Sequence, residues 1–402
     1  MNEEKKSFIS PELLKHFKTA ADVENYLGEV YKEAVQHMLK AEMDEHLGYE
    51  KHQPEGRNSG NSRNGFSKKT LKTTAGDIDV SVPRDRNASF EPIVVPKHER
   101  MSHKIETAVI GMYSRGMNTR DIEDQIKEIY GVDLSETSVS NITNTLHESI
   151  KQWQDRPLDS VYYILWMDGI SVKIRHNGKI VNKTIFIVIG LNKEGKKEVL
   201  GMWVNPTESA AFWLTVLTDL KVRGVEDVLI ACTDNLTGFT SAIKSTYPNA
   251  ITQLCVVHQI RNSMRYVVWK DKKEFVTDLK SVYGATNRKL AEDALTVFEK
   301  KWADKYFYAV KSWKENWDNL TSYFDFPAEI RQIIYTTNVI ESLNSGIRKY
   351  TKTKIIFPDD LAAIKAVYLA ITNIQKKWSM SVRNWGLILS QFLIIFEKRC
   401  QC

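Results

Sequence analysis

Two runs of apolar, β-branched and aromatic residues each lead straight into an aspartate, and this repeated arrangement limits the fold more than any other feature. Residues 161–167 read VYYILWM and deliver Asp168, and residues 228–233 read VLIACT and deliver Asp234. Short apolar runs of this composition are strands buried on both faces. A carboxylate at the end of such a strand costs free energy unless a cation or hydrogen-bond donors meet it. For one acid alone, a strand-end cap or a surface position explains it as well.

The pattern around these runs supplies the rest of a sheet. Val172 and Ile174 alternate with polar residues, and His176-Asn177-Gly178-Lys179 is a hairpin turn. Residues 184–191 form a second strand and 198–204 a third. A helix over 208–220, the strand at 228–233, a helix to Tyr247 and a short strand at 251–255 follow. Three antiparallel strands, then helix, strand, helix, strand, is the ribonuclease-H-like order. The expected class is therefore α/β with a mixed five-stranded sheet in which the first and fourth strands are neighbours, so that Asp168 and Asp234 converge. Residues 259–330 depart from this order. Trp269, Trp302, Trp313 and Trp317 lie here, and Leu290, Leu295, Phe298, Trp302, Val310 and Trp313 make an apolar stripe, which reads as an all-α insertion with its own small core. Trp302, Trp313 and Trp317 are expected to be core rather than stacking residues. Helices over 335–350, 359–378 and 384–398 close the chain. The greasiest segment, 387–396, is too short to span a bilayer and contains Ser390 and Gln391, so it reads as a buried helix.

Ahead of the sheet, Val23, Leu27, Val30, Ala34 and Met38 recur at helical spacing within 11–48. Residues 57–74 carry Arg57, Arg63, Lys68, Lys69 and Lys72 with no acid, spaced by Gly, Ser and Asn. This reads as a flexible basic loop, either a solvated linker or a phosphate-tracking arm, followed by a short hairpin around Ala75-Gly76-Asp77. A three-helix pattern covers 103–150. Asn118 or Thr119 caps its second helix, which stops at Gly131, and Ser135 caps its third. Ser138, Asn141, Asn144 and Thr145 lie on the outer face of that third helix, able to meet base edges or phosphates. Two helices about a tight glycine-containing turn read as helix-turn-helix, although helical hairpins that bind nothing share the pattern. The expected division is 1–56 helical, 57–100 basic loop and hairpin, 101–156 helix-turn-helix-like, 157–258 first part of the catalytic domain, 259–330 insertion, and 331–402 its second part with the terminal helices.

A third acid, Glu341, sits in a helix with Asn344, Ser345 and Arg348 at i+3, i+4 and i+7, so one face offers a metal ligand beside phosphate contacts. Arg348, Lys349, Lys352 and Lys354 follow with no acid before Asp359. Three hard carboxylates suit two Mg²⁺ or Mn²⁺ ions, a pair that clamps the attacking and leaving oxygens of a phosphodiester. Cys255 and His258 are good zinc ligands, but C-x-x-H offers two only, and a phosphate contact or junction-stabilising hydrogen bond fits His258 better. Residues 190–197 (GLNKEGKK) nearly match a P-loop. Lys197 replaces the Mg²⁺-binding hydroxyl and the strands it joins look antiparallel, so this is a turn and no nucleotide cofactor is expected.

The 402 residues carry 56 basic and 50 acidic side chains, a net charge of +6 that is too mild to identify a nucleic-acid binder by itself. Hydrophobic residues at 42% and charged residues at 26% exclude wholesale disorder. No run of eighteen apolar residues and no secretory pattern after MNEEKKSF leave no membrane role. Four cysteines make no disulfide scaffold, so the reducing cytosol is the expected compartment.

Several longer motifs make the sequence recognisable. RNG at 63–65, VPRDRN at 82–87, TDN-x-x-GF at 233–239, CVVHQIRN at 255–262, TTN-x-IES-x-N at 336–344 and RNWG at 383–386 occur in order. With the Asp168-Gly169 strand end, they resemble the transposases of the mutator-related family of bacterial insertion sequences over most of the chain. The resemblance implies a DDE-type catalytic domain interrupted by a helical insertion between the second Asp and the Glu, here 107 positions apart. It implies Asp168, Asp234 and Glu341 as catalytic, metal-holding acids, with Cys255 and His258 as the accessory pair. Terminal inverted repeats and target DNA become the expected partners, and a homodimer or higher oligomer the expected assembly. The resemblance also makes the expected compartment the bacterial cytoplasm, nucleoid-associated. Arg57, Arg63, Lys68, Lys69, Ser138, Asn141, Asn144, Asn344, Arg348 and Lys349 are the expected DNA contacts. Two rivals remain at this point, a ribonuclease-H-like nuclease without strand transfer and a non-catalytic helix-turn-helix repressor.

Overall fold

A computed structural model describes residues 15, 17–56, 59–74, 76–97, 101–335, 338–352 and 354–400. Two compact units divide the chain, Met1–Tyr113 with Met117–Thr145, and Ser114–Gly116 with Leu146–Cys402. Arg57, part of the 11–48 helix expectation (11–14 and 16), Ala75, Thr336 and Thr337 lie outside the described residues.

In the first unit, helix α1 (Ala20–Leu47) starts at a Thr19 capping box and stops at Gly48 in the left-handed region. Strands β1 (Arg63–Thr73) and β2 (Gly76–Asp85) pair antiparallel. The basic segment is thus largely a strand rather than a flexible loop. Alternation explains it, since Leu71 points inward onto Ile78, Val80 and Val82 while Lys68 stays exposed. Val35 and Leu39 of α1 close this small core. The inward face of α1 is therefore Val35, Leu39 and Met43, and Leu27, Val30 and Met38 are exposed, because the hairpin covers only the second half of the helix. Helices α2 (His103–Ser114), α3 (Thr119–Tyr130) and α4 (Glu136–Asn144) follow. The Asn118 and Ser135 side chains cap α3 and α4, and Gly131, with no Cβ to hinder it, ends α3 at φ 64°. The third helix ends at Asn144 rather than running on to Ile150, and α5 (Leu146–Asp155) groups with the second unit.

Asp85, within the VPRDRN motif, is buried and accepts hydrogen bonds from Asn61 Nδ2 (2.8 Å), Ser89 Oγ (2.7 Å), Ser89 N (3.0 Å) and Phe90 N (3.1 Å). Burial alone would raise its pKa, but these four donors outweigh it and hold the carboxyl well below the usual range. Its folded pKa lies below its unfolded one, so its stabilisation is present above pH ~4 and is lost as pH falls towards the folded value. Asp85→Ala should cost about 2–3 kcal/mol by stranding these donors. Urea denaturation at pH 7 and pH 3 checks this, and a penalty undiminished at pH 3 would contradict the charged-acceptor account.

The second unit is built on a sheet of β3 (Val161–His176), β4 (Lys179–Leu191), β5 (Lys197–Asn205), β6 (Asp227–Thr233) and β7 (Ile251–Leu254), in the order β5-β4-β3-β6-β7. β4 is antiparallel to β3 and β5, while β6 runs parallel to β3 and β7. Order and direction agree with the ribonuclease-H-like expectation. The β3–β4 turn places Asn177 and Gly178 at positive φ, and the P-loop look-alike is the β4–β5 turn, closed by Asn192 and Gly195. On one face, Leu165, Met167, Phe186 and Val188 pack against Trp213, Val216, Leu217 and Leu220 of α6 (Ala210–Val222) and Phe239 and Ile243 of α7 (Phe239–Thr246).

The other face meets a long helical stretch: α8 (Val256–Ser263), α9 (Lys272–Tyr283), α10 (Arg288–Glu315), α11 (Trp317–Thr321), α12 (Ala328–Ile334), α13 (Asn338–Thr351) and α14 (Asp360–Gln375). Phe275, Phe298, Trp302 and Trp313 join Trp166, Ile187 and Cys232 in one continuous apolar cluster. The helical stretch therefore shares the sheet's core instead of having its own. Trp302 and Trp313 are core as expected, Trp317 is half-buried, and Leu290 and Trp269 are exposed. The last helix, α15 (Trp385–Phe396), is not buried all round. Ile388, Phe392 and Phe396 face the core at i, i+4 and i+8, while Leu387, Leu393 and Ile394 are exposed because only one stripe meets the core. Among the described residues, no helix is long and apolar enough to cross a membrane.

Candidate active site

Strand register brings the first two acids together. Trp166 pairs with Cys232 across the parallel β3–β6 seam, and both side chains enter the cluster under the helical stretch. Two residues further along each strand are Asp168 and Asp234, which alternation puts on that same face. Asp168 is not at a strand end, since β3 continues to His176 paired with β4 and bridged at Ile174 to Phe357. What ends there is the β3–β6 pairing, and the widening gap beyond it is where both carboxylates sit.

Each acid is held in place. Asp168 Oδ2 accepts from Asn344 Nδ2 on α13 (2.7 Å) and Oδ1 from its neighbour Gly169 N (2.8 Å). Asp234 Oδ1 accepts from Leu236 N (3.3 Å). Asn344, expected to touch phosphate, is instead buried against Asp168, and its Oδ1 is buried without a partner. β3 is tied to the segment between α13 and α14 through Phe357, whose N donates to Lys173 O and whose O accepts from Arg175 N, both at 2.9 Å.

Glu341 lies on the same helix, one turn before Asn344. Its Oε1 accepts from Arg261 Nη1 at 2.9 Å and lies 3.9 Å from His258 Nε2. His258 and Arg261, one turn apart on α8, therefore face this acid. Among the described residues, no three His, Cys, Asp or Glu side chains are already gathered at ligand spacing, and the Glu341 carboxylate is paired with Arg261. Hydrogen bonds place α8 itself, from Asn235 Nδ2 of the TDN motif to Gln259 Oε1, and from Gln259 Nε2 to Ser312 Oγ (2.7 Å) on α10.

Several acids crowd one another here. Burial first raises the Asp168 carboxyl, with Glu208 and Glu341 adding to the rise against the Gly169 N–H and His258. Burial and then the charge of Asp168 raise Asp234. The Cys255 hydrogen bond, then the two aspartates, push His258 up to about 8 against its own burial. Cys255 and His258 thus act on each other, and buried Cys232 adds no third zinc ligand.

Glu208 is a fourth acid that sequence reasoning passed over. It follows β5 and precedes the Ser209 cap of α6, and its Oε1 lies 3.4 Å from Trp213 Nε1. A Cβ added at Gly169 would stand 3.7 Å from that oxygen. Burial and the charge of Asp234 raise its carboxyl. The signal available was an acid just past a strand, the same signal that singled out Asp234.

The expected DNA contacts divide. Arg348 and Lys349 are exposed on α13, as are Lys68 and Asn141 in the first unit, where Asn144 is also at the surface. Arg63 is committed elsewhere, bonded to Asp44 and to Tyr49 O (2.6 Å) and stacked on the Tyr49 ring. Lys69 Nζ donates to Pro96 O (2.6 Å), and Ser138 lies in the Ser135 cap.

Residues 2–381 match the family described as Transposase, Mutator family. The chain is 39% identical over 374 residues to the transposase for insertion sequence element ISRM3 of Rhizobium meliloti (strain 1021), covering 93% of each. It is 36% identical over 354 residues to the transposase for insertion sequence element IS905 of Lactococcus lactis, covering 88% of this chain and 90% of that protein. Among solved structures it is similar to the Drosophila P element transposase strand transfer complex, at a TM-score of 0.36 and 11% identity over 67% of this chain and 91% of that one. By the match along nearly its whole length, the chain belongs to the Mutator family of transposases.

Proposed function

We propose that this transposase binds the terminal inverted repeats of its insertion sequence and performs metal-dependent strand cleavage and strand transfer in a ribonuclease-H-like domain interrupted by the helical stretch. The observation that carries this reading is the placement of Asp168 and Asp234 side by side beyond the β3–β6 pairing, with Glu341 facing them from α13.

The residues fit a pair of Mg²⁺ or Mn²⁺ ions. They offer hard oxygens on carboxyls whose pKa values burial and neighbouring acids raise, and the buried, unpartnered Oδ1 of Asn344 lies beside Asp168. Asp168 and Asp234 would hold the ions, with Glu341 joining on parting from Arg261. The chemistry such ions supply when bound is activation of a water or DNA 3′-hydroxyl and neutralisation of charge on the leaving 3′ oxygen. Asn344 and the Gly169 N–H orient Asp168, and His258 offsets the local negative charge. Arg261, exposed next to the acids, offers its guanidinium to a phosphate when DNA arrives. Arg348 and Lys349 extend that cationic edge, and α3–α4 with Lys68, Asn141 and Asn144 would read the repeat. Two copies or more would hold two ends.

The test is cleavage and joining by purified protein with Mg²⁺ or Mn²⁺ on a labelled duplex carrying the flanking repeats. Nicking at the repeat boundary with joined product supports the proposal. Cleavage without joining would leave a plain nuclease, and metal-independent binding without chemistry would leave a repressor. Glu208→Gln should raise the Mg²⁺ concentration for half-maximal cleavage about 10-fold, the scale of outer-shell ligand effects, without weakening DNA binding. An unchanged metal requirement would remove Glu208 from the site.

A further inference from the structure

Five residues beyond Arg261, at most ~18 Å of chain, the surface changes character. Tyr266 and Trp269 are exposed, the latter by 86%, and Tyr308 on α10 is exposed by 68%. The Tyr266 and Tyr308 rings lie 6.1 Å apart, inclined by 31°. Globular surfaces rarely leave a tyrosine pair in water with an exposed tryptophan three residues along the chain from it, and these are not loosely held. Asp271 accepts from both Lys305 and the Tyr306 hydroxyl, tying the 266–271 segment to α10 at the point where Tyr306 (φ −133°, ψ 51°) interrupts that helix. The helix break is followed at once by exposed Phe307 and Tyr308.

The cations among these rings say what fits them. Residues 265–273 hold Arg265, Lys270, Lys272 and Lys273 against the single acid Asp271, which is already engaged. Arg265 and Lys273 are exposed and make no salt bridge among the described residues. Aromatic faces interleaved with unneutralised cations suit stacked bases on a polyanion, since every base offers a π-face and every phosphate a charge. A protein partner would leave these cations to be desolvated without a counter-charge. A paired duplex hides its base faces, so the matching ligand is unpaired.

We propose that Tyr266, Trp269 and Tyr308 form a stacking platform for unpaired nucleotides of the DNA end held at the acids. This rests on the DNA-processing reading above, but stacking tolerates any sequence, so it can be tested without the inverted repeats. Full-length protein would be titrated against an arbitrary duplex, blunt or with a six-nucleotide single-stranded tail carrying 2-aminopurine. The tailed duplex should bind more tightly and quench both tryptophan and 2-aminopurine emission. Trp269→Ala should cut tailed-duplex affinity about 10-fold and blunt-duplex affinity less than 2-fold, while Trp269→Phe, which keeps a ring, retains most of the preference. Equal binding of tailed and blunt duplexes by the native chain would overturn the platform and leave the proposed function standing. Failure to bind either would overturn the DNA reading beneath it. An equal loss on both duplexes in Trp269→Ala, or a change in oligomeric mass instead of DNA affinity, would make the patch structural or a protein contact and sink the proposal.

Discussion

Asp168→Asn and Asp234→Asn are each expected to abolish cleavage and joining, by at least ~10³-fold, while leaving the protein as stable as before or more so. Burial raises both carboxyls, with the charges of Glu208 and Glu341 adding to the rise at Asp168 and that of Asp168 adding to the rise at Asp234. A carboxyl with a higher pKa in the folded chain than in the unfolded one costs stability when it ionises. That loss begins as pH rises through the unfolded value, ~3.9, and is complete above the folded value. At neutral pH the neutral amide removes this cost, and Asn still accepts from Gly169 N or Leu236 N through its Oδ1. At position 168 its Nδ2 would donate to Asn344 once that amide turns to present its Oδ1. Mg²⁺ should raise the melting temperature of the native chain and not that of either variant. Thermal melts with and without Mg²⁺, beside the strand assay, separate the outcomes. Retained nicking in either variant would end the catalytic assignment. A fall of many degrees would make the acid structural instead.

The largest structural effect is expected at Gly195. It occupies the β4–β5 turn at φ +72°, and an added Cβ would lie 2.3 Å from Trp385 Cδ2 and 2.4 Å from Cγ. That indole cannot yield. Its Nε1 donates to Lys193 O (3.0 Å), its face meets Tyr163 at 5.6 Å, and Val382 N donates to Gly195 O (2.9 Å). Gly195→Ala should therefore cost about 3–4 kcal/mol, overpacking added to left-handed strain, and lower the melting temperature by roughly 10 °C. Gly178 is the matched control, left-handed at φ +77° in the neighbouring hairpin with nothing within 4 Å of an added Cβ. Gly178→Ala should cost only about 1 kcal/mol. If the two alanines cost the same, the Trp385 contact carries no weight. The RNWG motif would then need another explanation than clamping the turn.

Local chemistry was legible and distant pairing was not. Asn118, Gly131, Ser135 and Asn177-Gly178 placed their caps and turn because each acts within four residues. The sheet order followed from the spacing of strands and helices, and with it the approach of Asp168 to Asp234. Strand length was misread for β3 because Val172 and Ile174 continue it past an acid that looked like a stop. Segment 63–73 looked like a loop because its lysines hide a period of two that only Leu71 reveals. The roles of Asn344, Arg261 and Glu208 depend on partners 176, 80 and 39 positions away, and no local pattern encodes such distances. The exposed half of α15 was equally unreadable, since its sequence is apolar on both faces.

The shared core of sheet and helical stretch has a consequence in time. Asp168 and Asp234 leave the ribosome well before Glu341, and at ~5–20 residues per second the 107 intervening positions take about 5–20 s to synthesise. The helices made in that interval pack on the face that holds both aspartates. The third acid therefore joins a surface already being covered. A nascent or truncated chain ending before residue 341 carries the amino-terminal unit and two of the three acids, so on the proposed assignment each chain would finish its helical stretch before it could cut DNA.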